Sequence, residues 1–388
     1  MDLRAHFSRF LNAVPGRLHF AAHSHHPWPD ATREAQLQAW DDAARLQDGK
    51  WEQVLGPVTA ACQGHVARYL GLPDPRTIAF APNTHDFVRR ILSSLTIDHV
   101  PRVLTTDGEF HSFSRQVARM EEEGLLHVTR VPSEPAASCL PRLCDLARSG
   151  FDLIWVSEVF YGTGAAVEGL EDLAHAGREA IVVVDGYHAF MARPVNLSRV
   201  ANRVFYVGGG YKYAMAGEGC CFLHCPPGWL PRPRDTGWFA GFGALSRSDG
   251  KIEYAGDGGR FLGATFDPSG LYRLDAAMRW FDRVGLTVEA VHDHALAMGE
   301  RFCAGLRGAV FDEWRLAVPL SEDRRGNFLA FETEDAEDWH RRLEAADIVI
   351  DRRGRRLRFG FGPYQTEAEV DALNERMEHL ATGLRAAA

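Results

Sequence analysis

The sequence predicts an α/β protein: a mainly parallel central sheet flanked by helices, followed by a smaller α+β unit. Three observations predict it. Short apolar runs that close on glycine or a polar turn alternate with segments of helical spacing, the pattern of strands joined by crossover helices. The length of 388 residues suits two domains better than one small core. A long helical pattern over 270–284 and 288–306 divides the strand-rich part from a shorter tail, as a spine between two domains would.

Taken in order, 31–46 and 52–70 carry helical spacing, and 84–95 and 114–122 repeat it, each entered from a polar segment able to cap it. Strands are expected at 100–105, 153–159, 180–185, 203–208 and 219–224. The run Ile181-Val182-Val183-Val184 is apolar without alternation, which suits a strand covered on both faces. In the tail, strands at 327–332 and 357–361 accompany helices at 336–346 and 366–381. The expected division is a large unit of 20–265 and a small one made of 1–19 and 266–388.

Composition excludes several classes. No apolar run approaches the ~20 residues of a membrane-spanning helix, and the first residues lack the apolar block of a secretory signal. The expected location is the cytoplasm. Seven cysteines spread over the chain do not form the dense framework of a small secreted domain, so free thiols are expected. The net charge of −9 argues against a nucleic-acid binder. The basic stretch Arg352-Arg353-Gly354-Arg355-Arg356-Leu357-Arg358 reads as a solvated strand edge or turn.

The chemistry-bearing residues fall at strand ends, where an open α/β sheet gathers its ligands. Lys212 lies between two tyrosines in VFYVGGGYKYAMAGEGC, and Asp185 ends the IVVVD run. By themselves the two could form an ion pair. With Asn83-Thr84 opening a helix, Glu109-Phe110-His111-Ser112 after a strand, and Asp185-Gly186-Tyr187-His188, the set gains a meaning. It supplies an anion cradle, a flat group, a carboxylate and an amine. These are the needs of pyridoxal 5′-phosphate. Burial would lower the lysine pKa and make the amine nucleophilic.

On these residues, with Gly237-Trp238-Phe239 and Leu357-Arg358-Phe359, the chain resembles the class V aminotransferase group of fold-type I pyridoxal-phosphate enzymes. Within that group it looks most like the kynureninases, from His19 to about Leu384. The resemblance implies the fold-type I architecture and a homodimer with shared active sites. It makes Lys212 the Schiff-base lysine, Asp185 the partner of the pyridine nitrogen, and His188 a group near the cofactor. It makes Tyr211 a phosphate ligand together with Asn83 and Thr84. Phe110 or His111 lies over the ring, with His111 favoured. Trp238 and Thr265 match positions that reach the neighbouring subunit's site, and Arg358 matches the arginine that grips the substrate carboxylate. The implied activity is a kynureninase-like Cβ–Cγ hydrolysis of an amino acid, with transamination as the alternative.

The main departure is Ala22-His23-Ser24-His25-His26-Pro27-Trp28, where kynureninases carry Asn-Ser-Leu-Gly. His25 or His26 is expected to meet the substrate. The same histidines, with His19, give a rival reading as the zinc site of a metal-dependent hydrolase. The carboxylate and histidine partners of such a site are not evident later in the chain, and no metal is expected. Cys220, Cys221, His224 and Cys225 lie on a strand, where alternation sends neighbours to opposite faces. Cysteine desulfurase chemistry requires a nucleophilic cysteine in the C-terminal third, and no cysteine follows Cys303.

Overall fold

The alternating apolar runs pair into one seven-stranded sheet in the computed structural model, which describes residues 3–95, 98–244, 250–321 and 324–387. Its strands are β1 (Ile78–Ala81), β2 (Arg102–Thr106), β3 (His127–Val131), β4 (Leu153–Ser157), β5 (Ile181–Asp185), β6 (Val204–Gly209) and β7 (Cys221–His224). The spatial order is β1-β7-β6-β5-β4-β2-β3. Strand β7 runs antiparallel to both neighbours, and the pairs from β6 to β3 are parallel. The architecture is that of the predicted class.

Two strands escape the sequence pattern for physical reasons. Strand β1 is short and half alanine, and β3 is an edge strand whose residues are mostly exposed, so neither has the dense β-branched run of a central strand. Strand β5 is buried along its whole length. Val182 and Val184 enter the core on one face of the sheet, and Val183 enters the core on the other. On the second face Phe113 stacks on Trp155 with centroids 4.3 Å apart.

The helices α1 (Ala31–Leu46), α2 (Thr59–Leu70), α3 (Thr84–Ser93), α4 (His111–Glu122), α5 (Ala136–Ala147), α6 (Leu170–Ala176) and α7 (Ser269–Val284) cover the sheet. The single helix expected over 52–70 is interrupted by a wide turn through Gly56 and Pro57, because proline lacks the N–H that would continue the ladder. Helix α7 buries Leu271, Leu274, Met278 and Phe281 in the first core. It therefore packs with the sheet, although it follows residue 265.

The tail builds a second core. Helix α8 (Val288–Gly305) leads to the antiparallel strands β8 (Arg315–Leu316), β9 (Phe328–Glu332), β10 (Asp351–Arg353) and β11 (Arg356–Gly360), in the order β10-β11-β9-β8. Helices α9 (Ala336–Ala345) and α10 (Glu367–Ala387) complete it. Phe302, Trp314, Phe331, Trp339 and Phe359 fill its interior. Leu18–His19 pairs with Ile348–Val349, so the chain's beginning joins this unit before crossing to the large sheet. The basic stretch is neutralised: Arg352, Arg353, Arg355, Arg356 and Arg358 each face an acidic side chain.

No helix among the described residues is long and apolar enough to cross a membrane. All seven cysteines are free thiols.

Candidate active site

The parallel strands end on one edge, and the loops leaving that edge enclose a cavity of about 360 Å³. Strand β1 delivers Asn83 and Thr84, β2 delivers Phe110 and Ser112, β4 ends in Ser157, β5 in Asp185, and β6 leads to Tyr211 and Lys212. Tyr161, Tyr187, His188, Glu218 and Gly219 complete the wall. The site is thus a product of topology, with each side chain one or a few residues past a strand.

Helix α3 opens at Asn83, whose side chain caps it by accepting a hydrogen bond from the Asp86 amide at 3.0 Å. The first-turn amides of a helix have no carbonyl partner within it, and the helix dipole makes that end attractive to anions. Tyr211 lines the same cavity and its hydroxyl is 3.2 Å from His25 Nδ1.

Asp185 and Ser157 are register partners at the ends of β5 and β4. The Asp185 carboxylate accepts a hydrogen bond from the Tyr187 amide at 3.0 Å. Burial pushes its pKa up to about 6, while the amide of Tyr187 and the charge of Lys212 hold it down. Tyr187 itself packs against Gly209, where a Cβ would come within 2.7 Å of its ring. Only glycine leaves room for that approach.

Lys212 is buried, and its Nζ meets both ring nitrogens of His188, at 3.1 Å from Nδ1. It also lies 5.4 Å from the Tyr187 ring centroid and 5.9 Å from that of Phe110. Burial, reinforced by Arg358, lowers its pKa well below the usual amine value, against the pull of Asp185 and Asp351. Tyr213 fixes the loop by donating to the carbonyls of Asn327 and Phe361 at 2.8 and 3.1 Å, which ties the lysine to the small unit.

Two further carboxyls lie beneath the cavity. Glu109 accepts hydrogen bonds from Thr106 and Ser157, both at 2.6 Å, and burial pushes its pKa up to about 8. Glu158 accepts one from Tyr206 at 2.7 Å, and burial raises its pKa to about 7. Arg358 is buried, donating to the Tyr161 carbonyl and to Asp351.

The expected residues are therefore brought together unevenly. Asn83, Thr84, Asp185, His188, Tyr211 and Lys212 share the cavity. At the ring-stacking position the wall is Phe110, and His111 is turned to Tyr161, 3.4 Å from its hydroxyl. His25 touches Tyr211 at the rim. His26 is buried among Phe7, Tyr213 and Tyr364 with Nδ1 2.7 Å from the Pro27 carbonyl, so its ring serves the interdomain core and not the cavity. Trp238 and Thr265 lie away from the cavity, joined by a 3.3 Å hydrogen bond at the surface.

The four histidines diverge. His19 pairs with Tyr364 at 2.7 Å, and His23 stacks on Phe328. Among the described residues no group of three His, Cys, Asp or Glu side chains could hold a metal ion. Sequence reasoning missed His23, Phe328 and Asp351 as part of the site's surroundings. Glu109 and Tyr187 stood inside quoted motifs, where their flanking hydroxyl and glycine partners were the available signal.

The family profile Aminotransferase class-V matches residues 52–373. The chain belongs to the class V aminotransferase family. It is 28% identical to the isopenicillin N epimerase of Streptomyces clavuligerus over 345 residues, covering 81% of this chain and 82% of that protein. Its fold matches a variant of C-DES with glycine covalently linked to its PLP cofactor, with a TM-score of 0.82 and 18% identity over 97% of this chain and 99% of that one. An apo cysteine desulfurase from Thermococcus onnurineus matches equally well, with a TM-score of 0.82 and 18% identity over 99% of both chains.

The fold is fold type I of the pyridoxal-phosphate enzymes, and the residues present fit that cofactor. The helix α3 N-terminus with Thr84 and Tyr211 suits the phosphate, Phe110 and Tyr187 offer flat faces, Asp185 suits the ring nitrogen, and Lys212 suits the aldehyde.

Proposed function

We propose that the chain is a pyridoxal-phosphate-dependent enzyme acting at Cα of an α-amino acid, and that its reaction is a kynureninase-like hydrolytic cleavage of Cβ–Cγ. The observation that carries this reading is the buried Lys212 amine against His188, in one cavity with Asp185. Tyr161, the cavity-lining ring not assigned to the cofactor, supports a substrate with an aromatic side chain.

Bound there, pyridoxal phosphate supplies an aldehyde that bonds amines and a conjugated ring that takes up the electron pair left when Cα loses its proton. With the cofactor bound, Lys212 would be the base for the Cα proton. His188, at 3.1 Å, is its proton-relay partner. Asp185 supplies the negative charge that keeps a ring-nitrogen proton in place. Arg358 is the cation assigned to the substrate carboxylate; its guanidinium lies behind the cavity wall, 5.9 Å from the Tyr161 ring, with its outer nitrogens on the Tyr161 carbonyl and Asp351.

Isopenicillin N epimerase gives a second reading, inversion at Cα, since 81% of the chain aligns with it. Sulfur extraction has no support: no cysteine lines the cavity among the described residues, and the Cys303 thiol on α8 is pushed up to about 11 by burial. Free cysteines agree with a cytoplasmic protein. The exposed Trp238 and Phe242 agree with a homodimer interface near Thr265.

The test is incubation of the purified holoprotein with kynurenine, 3-hydroxykynurenine and an amino-acid panel, with and without an oxo-acid acceptor. Alanine plus an aromatic acid supports hydrolysis. An inverted enantiomer supports the second reading, and an oxo acid supports transamination. A protein with no borohydride-sensitive visible absorbance overturns the proposal.

A further inference from the structure

We propose that Glu109 is a positioning residue for the cofactor end of the cavity, turning the Ser157 hydroxyl so that it donates into the cavity beside Asp185. The proposal rests on that cavity being the pyridoxal-phosphate site. It starts from a buried carboxyl that the chemistry above leaves unused. Glu109 is 2% exposed, and its oxygens meet two hydroxyls, Oε1 with Thr106 and Oε2 with Ser157, each at 2.6 Å. A buried carboxylate is costly unless a cation is paired with it. The titratable groups that face this one are Asp185 on β5 and Cys139 on α5, and neither is a cation. Asp107, on the same loop, is taken up by the amide and hydroxyl of Ser133 at 2.7 Å.

The two hydroxyls are not equivalent. Thr106 is buried and lies outside the cavity wall, and its Oγ1 already accepts from the Gly108 amide at 3.1 Å. Ser157 lines the cavity at the end of β4, as the register partner of Asp185. A hydroxyl has one proton to give. An ionised Glu109 accepts from both hydroxyls, and the Ser157 proton is then spent inside the wall. When Glu109 carries a proton, Oε1 still accepts from Thr106 while Oε2 donates to Ser157, whose own proton is released toward the cavity. The opposite choice would strand the Thr106 proton in the core without an acceptor, which is costly.

The protonation state agrees with this geometry. Burial pushes the Glu109 pKa up to about 8 against the hydrogen bonds of Ser157 and Thr106, and the charge of Asp185 adds to the rise. Near neutrality the acid form prevails. The wall then gains a donor next to Asp185, and Asp185 is spared a second negative charge at its side. As pH rises through 8 the proton leaves, Ser157 turns back to Glu109, and the donor is withdrawn from the cavity.

The test is the dissociation constant for pyridoxal phosphate, read from the visible absorbance of the holoenzyme on serial dilution, at pH values well below and well above the Glu109 transition. Glu109→Gln keeps an acceptor for Thr106 and a donor for Ser157 at every pH. Wild type should match this variant within about twofold at the lower pH and hold the cofactor about 10-fold more weakly at the higher one, the size of one lost hydrogen bond. In a Ser157→Ala background the two should not separate at either pH, because the hydroxyl to be turned is gone. A separation that persists without Ser157 overturns the proposal, since Glu109 would then act through its charge alone. Weakening by Glu109→Gln at both pH values, or no separation in either background, also overturns it while the cofactor reading stands. A wild-type protein with no cofactor absorbance overturns both.

Discussion

The two halves of the site are built by different means. In one half, cavity-lining groups stand at strand ends of one sheet: Thr84 after β1, Phe110 after β2, Asp185 on β5 and Lys212 after β6. The groups packed behind the cavity wall come from separate stretches: His23 from the N-terminal segment, Phe328 from β9, and Asp351 and Arg358 from β10 and β11. The first half is fixed by the topology of a single sheet. The second exists only where the small unit and the N-terminal segment dock on the large sheet, with Tyr213 as a tie. Under the proposed function, chemistry common to the family would belong to the first half and selection among substrates to the second.

The strongest way to break this division is Lys212→Ala. Turnover should fall by ~10³ or more, and borohydride should no longer fix the cofactor to the protein. Noncovalent cofactor should remain, because Asp185, Tyr211 and the helix α3 N-terminus are untouched. Retained turnover would show that the reaction does not run through this amine.

Arg358→Ala acts on the other half. A buried, charge-assisted contact to a carboxylate is lost, so KM for an amino acid should rise by ~10², with cofactor absorbance unchanged. The substitution also leaves Asp351 without its partner, a cost unrelated to substrate. Arg358→Ala combined with Asp351→Asn removes that cost. If the double variant regained wild-type KM, the arginine would be a structural partner of Asp351 and not a substrate ligand.

The same division explains what the sequence made legible. Lys212, Asp185, Asn83 and Thr84 each sit in a local pattern of apolar run, turn and polar residue, so topology alone predicted their meeting. The choice between Phe110 and His111 depended on which residue turns inward at the start of α4, a rotation no spacing reveals. His26 and His23 are three residues apart in one segment, yet one packs among Tyr213 and Tyr364 and the other on Phe328. Their fates are set by where the small sheet docks. The helix break at Gly56-Pro57 was readable from proline chemistry and was overridden by the apolar periodicity around it.

The smallest effect tests whether the cofactor half carries strain that the substrate half does not. Glu109 has a pKa near 8 in the fold because burial disfavours its charge, above the ordinary carboxyl range. Its contribution to stability is complete below about pH 4 and is lost as pH rises through 8, since the folded state binds the proton more tightly than the unfolded one. Other buried groups titrate too, so the informative quantity is the difference between wild type and Glu109→Gln, which isolates this carboxyl. Wild type should lose stability relative to the variant between about pH 4 and 8, by at most ~1.4 kcal/mol per pH unit, read as diverging thermal midpoints. Amino-acid KM should stay within about twofold, because Glu109 hydrogen-bonds Thr106 and Ser157 beneath the sheet edge and lies outside the Arg358 cluster. Parallel midpoints across that range would mean that Glu109 is ionised in the fold and that Asp185 works beside a second full negative charge.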